Sequence, residues 1–279
     1  MIALAEVLRR STQYLEDRGS PTARLDAELL LAHGLGVSRI ELYTGHDRPM
    51  TEAELDVCRE LVRRRGDREP VAYIVGTRGF RHLDLKVDSC VLVPRPETEL
   101  VVDRCLELLR DVAEPAVLDV GTGSGAIALA IASELPAARV TATDVSPAAL
   151  DVAWANAVAL GLAVEMRQGD LLDGLGDRRF DLIASNPPYV SEQEIEGLEP
   201  EVAVHEPRLA TVAGDGLNAY RRLLPDAREH LVEGGWLVLE CGAGQAAWLV
   251  SELDRLGYGA ADVARDLAGI ERVVSARWG

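Results

Sequence analysis

The sequence predicts an α/β chain: a mostly parallel, doubly wound sheet preceded by a small all-helical N-terminal domain. Three observations predict this. Residues 1–75 carry apolar side chains at helical spacing only. From about residue 90 the rhythm becomes strand, loop, helix, which is the pattern of parallel strands joined by crossover helices. Between the two, alternation broken by Gly76 and Gly79 marks residues 76–93 as a β-hairpin linker, leaving residues 94–279 as the larger domain.

Within the first domain, LAEVLRRSTQYLEDRG, SPTARLDAELLLAHGLG, SRIELYTG and TEAELDVCRELVRRRGDR read as helices. Ser20, Ser38 and Thr51 stand as N-caps, with Pro21 in a first helical turn. REPVAYIVGTRGFRHLDLKVD reads as a strand pair. Pro94 and Pro96 then open a helix through ETELVVDRCLELLRD. The strand AVLDV (116–120) feeds a glycine-rich turn and the apolar helix AIALAIASEL. Next come the strand ARVTATD, the helix SPAALDVAWANAVAL and the strands AVEMRQGD and RFDLIASN. After an irregular stretch a helix crosses LNAYRRLLPDAREHLVEGG, where Pro225 is expected to break or kink it. The strand WLVLEC, a helix from Gln245 and two terminal strands complete the chain.

The 279 residues are 48% apolar, with 29 basic against 46 acidic side chains and a formal charge of −17. That apolar fraction excludes a disordered chain, and no apolar run is long enough to span a bilayer. The opening MIALAEVLRR has Glu6 inside its apolar stretch and its arginines after it, the reverse of a secretory signal. Cys58, Cys90, Cys105 and Cys241 lie far apart with no CxxC, so a reducing cytoplasm fits. Residues 1–80 hold 12 arginines and 13 carboxylates, whereas the remaining 199 residues carry a net −16. Binding to phosphates needs a basic surface, so neither a direct nucleic-acid partner nor a membrane is expected. Most of these carboxylates read as a solvated, solubilising surface.

Two motifs carry chemistry. In VLDVGTGSGAIALA, the run Gly121, Thr122, Gly123, Ser124, Gly125 lies between a strand and a helix, where missing side chains let the backbone turn sharply and approach a ligand. Asp144 closes the next strand, 23 residues after Gly121, placed to accept from ribose hydroxyls. The pair indicates a nucleotide-type pocket without deciding between NAD and S-adenosylmethionine. SNPPYV (185–190) discriminates further, because it follows a buried strand and should lie beside the cofactor. Its plainer reading is a stiff loop with Tyr189 capping the core. Its chemical reading is a grip on a planar –NH₂ group: the Asn186 side-chain oxygen and the Pro187 carbonyl accept its hydrogens. Pro187 and Pro188 stiffen the backbone, and Tyr189 packs on the flat face.

The ordered set GTGSG, Asp144, GD at 169–170 and NPPY resembles class I S-adenosylmethionine-dependent methyltransferases acting on planar nitrogen. With PVAYIVGTRGF, VLVPRPETE, EPRLATVAGDGLNAYR and LVLECGAGQ, the whole chain resembles the release factor glutamine methyltransferase family. The resemblance implies a Rossmann-like methyltransferase sheet. It also implies transfer of a methyl group from S-adenosyl-L-methionine to the GGQ glutamine of class 1 peptide chain release factors. Gly121 to Gly125 would line the cofactor's methionine end and Asp144 would hold its ribose. Asp170 and Leu171 would face the adenine, with Asn186 beside the cofactor. Asn186, Pro187, Pro188 and Tyr189 would bind the glutamine amide, and PRPETE (94–99) would border the mouth. Leu171 departs from an expected aromatic wall, offering packing without ring stacking and so weaker adenine affinity. Cys241 stands where Ile or a similar residue is expected and is assigned packing alone.

Other chemistries fail on spacing. His33, His46, His82, His205 and His230 show no metal-ligand pattern, so no metal is expected. G-x-x-x-x-G-K-[ST] and G-x-S-x-G are both absent. His205, Glu206 and Arg208 stand near NPPY in sequence, either against substrate or in a loop packed on the core. The competing functions are a nucleic-acid adenine methyltransferase, which needs base extrusion and a basic surface, and a non-catalytic module binding a ribosome-associated factor. An NAD oxidoreductase lacks a candidate acid or base near the loop. The helical domain, nearly neutral and separate, reads as a docking element for the protein substrate.

Overall fold

A computed structural model of the chain describes residues 2–279. They form two compact units, one reaching to Thr77 and including Glu199–His205, the other Arg78–Leu198 with Glu206–Gly279. A hairpin of β1 (Thr77–Phe80) and β2 (Leu83–Lys86) follows the N-terminal helices. Phe80, Leu83 and Leu85 sit in the core of the larger unit.

The smaller unit holds α1 (Leu4–Asp17), α2 (Ala23–Leu35), α3 (Arg39–Thr44), α4 (Glu52–Gly66) and α5 (Val71–Val75). They share a core of Leu8, Leu15, Leu30, Leu31, Leu42 and neighbouring apolar residues. Ser38 and Thr51 make the expected capping boxes with Glu41 and Glu54. Ser20 does not cap α2. Its hydroxyl donates to Asp26 at 2.6 Å, because Asp26 is drawn to the buried Arg65 guanidinium at the same distance. Thr22 precedes the helix, which starts at Ala23. Residues 71–75 are helical rather than the start of a strand, opened by Pro70 and ended by Gly76 in the left-handed region at φ 79°. Glu201, in a short π turn, also belongs here: it accepts from Arg65 at 2.6 Å and Arg68 at 2.6 Å.

The larger unit is built on a seven-stranded sheet. Its strands are β3 (Ala116–Val120), β4 (Arg139–Asp144), β5 (Val164–Gln168), β6 (Phe180–Ser185), β7 (Leu231–Glu240), β8 (Tyr258–Arg265) and β9 (Glu271–Trp278), in the order β5-β4-β3-β6-β7-β9-β8. The pairs from β5 to β7 are parallel, while β9 runs antiparallel to both β7 and β8. Alternate residues of each strand feed two cores, one per face: Val117, Leu182 and Val238 on one side, Leu118, Ile183 and Leu237 on the other. With both faces covered the strands read as near-continuous apolar runs. The first face is covered by α6 (Glu99–Leu108) and α7 (Ala126–Glu134), whose residues 126–131 are all buried, which is why AIALAI carries no polar stripe. The second is covered by α10 (Asn218–His230) and α11 (Ala246–Arg255), whose numbering follows α8 (Pro147–Leu160) and the short α9 (Arg208–Thr211). Pro225 lies inside α10 without ending it.

From β3 the chain winds outward through β4 to β5, then returns to place β6 and β7 on the other side of β3. The strand order therefore reverses between β3 and β6, and ligands bind at the carboxyl ends of strands around such a point. Val120, Ser185 and Leu239 are in register there, so Gly121, Asn186 and Glu240 are the next residues along three adjacent strands.

Candidate active site

A cavity opens at this edge of the sheet, where the strand order reverses and doubly wound folds bind their ligands. Its floor is the turn after β3. Gly121, Gly123 and Gly125 take φ of 72°, 55° and 86°, values that other residues adopt only under strain. The end of β4 holds the turn through one backbone carbonyl and one side-chain carboxylate. Gly121 and Thr122 N–H donate to the Thr143 carbonyl at 2.8 and 2.9 Å, and Gly123 N–H donates to Asp144 Oδ2 at 2.9 Å. Beneath the turn in sequence, Asp119 is fully buried. Its Oδ2 accepts from Thr122 Oγ1 at 2.6 Å and from Ala128 N–H at 3.1 Å, while Oδ1 has no partner among the described residues. Burial pushes the Asp119 carboxyl up to about 7, against the lowering effect of those two donors.

Gly121, Thr122, Gly123, Ser124, Asp144, Asp170, Leu171 and Asn186 all line the cavity. Gly125 does not, and its requirement is packing: a Cβ there would meet Leu129 Cδ1 at 2.8 Å and Ala153 Cβ at 3.3 Å. By contrast, a Cβ on Gly121 or Gly123 would meet nothing within 4 Å. Asp144 Oδ1 accepts from Ser146 N–H at 2.9 Å, so both carboxylate oxygens are oriented and each keeps lone-pair capacity for a ligand. Asp170 pairs with Arg222 at 2.8 Å on the exposed side. Leu171 takes φ 56°, unusual for a branched side chain, and its carbonyl accepts from Thr143 Oγ1 at 3.2 Å. Pro94 and Thr98 of the PRPETE segment also line the cavity.

The NPPY loop is held differently. Asn186 Nδ2 donates to Thr98 Oγ1 at 3.1 Å, and the Thr98 hydroxyl donates to Glu240 Oε2 at 2.6 Å. The Tyr189 hydroxyl donates to Glu240 Oε1 at 3.2 Å, and the Tyr220 hydroxyl to the Glu240 carbonyl at 2.8 Å. Glu240 is buried, which pushes its carboxyl up to about 6; Glu97 adds to the rise, while the Thr98 and Tyr189 hydroxyls and Arg272 oppose it. Burial and the facing Glu240 likewise push the Tyr189 phenol well above its usual range. Gln245 Nε2 donates to the Tyr189 carbonyl at 2.9 Å, while its Oε1 accepts from Gly242 N–H at 2.9 Å. Pro188 lines the cavity beside Asn186, but Pro187 and Tyr189 are absent from the lining.

The family comparisons agree with this architecture over nearly the whole length. Residues 6–76 match the PrmC N-terminal domain, and residues 101–204 match the methyltransferase small domain. A release factor glutamine methyltransferase of Geobacter sulfurreducens is 45% identical over 277 residues, covering 99% of this chain and 97% of that protein. The chain belongs to the release factor glutamine methyltransferase family. A second member, from Rhodopirellula baltica, is 45% identical over 96% of this chain and 94% of its own. A methyltransferase crystal structure from Pyrococcus furiosus shares the fold, with a TM-score of 0.52, 21% identity and coverage of 71% of this chain and 90% of that one.

In this family member, several site residues escape a reading of motifs. Thr98 and Glu240 lie inside the family-like segments PRPETE and LECGAGQ, yet neither segment signals that one hydroxyl bridges them across 142 residues. Asp119 had a local signal: a carboxylate in the last turn of a buried strand, two residues before a glycine run. Pro207, Leu209 and Ala210 line the cavity from the stretch that follows Glu206. Glu206, buried, accepts from Arg95 Nη2 at 2.6 and 2.7 Å, which gives it a structural part in the larger unit. His205 instead groups with the smaller unit, its ring nitrogen 3.2 Å from the Asp67 carbonyl. Arg208 is exposed and paired with Glu192. Cys241 is buried, its thiol pushed up to about 12 by burial and by Glu240. No group of three or more potential metal ligands occurs among the described residues.

Proposed function

We infer that the chain transfers a methyl group from S-adenosyl-L-methionine to the side-chain amide nitrogen of the GGQ glutamine of class 1 peptide chain release factors. The observation that carries this reading is the juxtaposition of an open glycine turn and an NPPY loop on adjacent strands of one sheet. The donor fits the residues present. Gly121 and Gly123 leave open the space that a Cβ would fill, and Asp144 offers oriented acceptors for ribose hydroxyls. Asp170 and Leu171 are the residues for the adenine end. S-Adenosylmethionine supplies an electrophilic sulfonium methyl.

The protein's part is to make an amide nitrogen nucleophilic. That nitrogen is poor because its lone pair is delocalised into the carbonyl. Asn186 Oδ1 and the Pro187 carbonyl are the two acceptors for its hydrogens; they return electron density to nitrogen and stabilise the positive charge that develops there. Tyr189, anchored through its hydroxyl and its carbonyl, packs on the amide face. Holding donor and acceptor at about 3–3.5 Å contributes on the order of 7–11 kcal/mol through positioning. No general base is required, since the nitrogen becomes acidic once methylated.

The helical N-terminal region is read as the docking element for the release factor, residues 1–80 holding 12 arginines against 13 carboxylates. Labelled S-adenosylmethionine tests both statements. It is offered with a purified class 1 release factor, the same factor with its GGQ glutamine replaced, and duplex DNA. Label is expected on the intact factor alone; label on DNA would move the assignment to an adenine methyltransferase. In the same assay, a chain lacking residues 1–75 should show a KM raised more for the whole factor than for a short GGQ peptide. Equal increases would remove the docking role.

A further inference from the structure

The cavity contains an asparagine whose two amide ends are chemically opposite, and the glutamine reading above requires its oxygen to face the substrate. A flipped Asn186 would present NH₂ to NH₂, so that two donors meet and no acceptor supports the nitrogen. Resting on that reading, we propose that Thr98 and Glu240 are positioning residues that fix which way round the Asn186 amide stands.

Hydrogen-bond polarity fixes the orientation. An ionised Glu240 carboxylate only accepts, so the Thr98 hydroxyl 2.6 Å away gives it its single hydrogen. Having spent that hydrogen, Thr98 Oγ1 can only accept, and the group 3.1 Å from it must be the Asn186 NH₂. The Asn186 oxygen is thereby turned away from Thr98. Thr98 and Glu240 are 4% and 1% exposed, which leaves little room for water to replace either partner. The same carboxylate takes the Tyr189 hydroxyl on its other oxygen, so one buried acid sets both Asn186 and Tyr189. Thr98 comes from the turn before α6 and Glu240 from the end of β7, which gives PRPETE and LECGAGQ a shared purpose beyond bordering the site.

The test uses the full-length chain and a purified class 1 release factor, with S-adenosylmethionine affinity measured by calorimetry beside kcat and KM. Thr98→Val should lower kcat about 10- to 100-fold while KM and cofactor affinity stay within about threefold. Thr98→Ser, which keeps the hydroxyl, should restore most of the lost turnover. Glu240→Gln offers one acceptor oxygen to two donating hydroxyls and should lower kcat about tenfold. Wild-type kcat in Thr98→Val overturns the proposal, as does a Thr98→Ser variant that falls equally far. If Thr98→Val no longer binds the cofactor, Glu240→Gln decides, and unchanged turnover there is the overturning result. A wild-type chain that labels no release factor refutes the glutamine reading instead, so the two failures are distinct.

Discussion

The turn after β3 and the loop after β6 emerge side by side from one sheet, and each has a buried carboxylate behind it bonded to a threonine hydroxyl. Asp119 accepts from Thr122 at 2.6 Å, and Glu240 accepts from Thr98 at 2.6 Å. The difference lies in distance along the chain. Asp119 ties down residues three and nine positions away, whereas Glu240 reaches residues 142 and 51 positions away. The glycine turn is a local device, completed by the Thr143 carbonyl and the Asp144 carboxylate of the neighbouring strand. The NPPY loop is a tertiary device whose geometry exists only after α6, β6, β7 and the segment to α11 have assembled. A local device can be rigid early and cheaply in conformational entropy; a tertiary one orders its polar groups only in the finished fold.

The largest expected effect separates the two by removing chemistry without removing structure. Asn186→Ala deletes one of the two acceptors on the substrate nitrogen, and kcat should fall about 100- to 1,000-fold, the usual loss for one preorganised hydrogen-bonding partner. Asn186 is only half-buried, and the loss of its hydrogen bond to Thr98 should lower stability by only about 1 kcal/mol, far less than the change in turnover. A variant that keeps turnover would mean that the loop stiffens the site without touching the amide.

Gly125→Ala probes the local device in the opposite sense. The substitution forces φ 86° on an alanine and drives its Cβ to 2.8 Å from Leu129 Cδ1. Strain of about 1–2 kcal/mol and overpacking of about 1–3 kcal/mol should together destabilise the chain by about 2–5 kcal/mol in denaturant unfolding. Gly123→Ala carries the backbone strain alone, because nothing lies within 4 Å of its Cβ, and should be the milder of the two. Equal losses would show that the packing contact contributes nothing.

This contrast also explains what was legible in the sequence. The doubly wound sheet, the glycine turn and Asp144 follow from alternation and spacing within about 30 residues, the range over which a βαβ unit is written. The NPPY motif was visible, but its anchors were not, because nothing in PRPETE says that Thr98 will meet a residue of β7. The errors have the same origin. Ser20 looks like an N-cap until Arg65, 45 residues later, claims it and Asp26. Residues 71–75 carry β-branched and aromatic residues, yet Pro70 and Gly76 bound a single helical turn. Gly125 is a separate case: it stands in the expected cofactor loop, and Leu129 and Ala153 add a packing constraint that its spacing does not show.

The smallest expected effect sharpens the comparison through protons. Burial raises the Glu240 carboxyl to about 6, with Glu97 adding to the rise and the Thr98 and Tyr189 hydroxyls and Arg272 opposing it. Above that value the carboxylate only accepts, and the polarity reaching Asn186 is fixed. As pH falls through about 6, Glu240 takes up a proton and can donate to Thr98, whose own hydrogen is then free to turn toward Asn186. The asparagine loses its enforced orientation, so kcat should drop by up to about tenfold on the acid side, and Glu240→Gln should lack this limb. Stability runs the other way. A carboxyl whose folded pKa lies above its unfolded value holds its proton more tightly in the native state. Its contribution is complete below the unfolded pKa and is lost as pH rises through the folded one. For Asp119 that window ends at about 7 and for Glu240 at about 6, so each destabilises the fold at neutral pH when ionised. Turnover and stability should therefore cross in opposite directions near pH 6, with Glu240→Gln flattening the activity profile and leaving the Asp119 part of the stability profile in place. An activity limb that survives Glu240→Gln would assign it to another group and leave the NPPY loop without its titrating anchor.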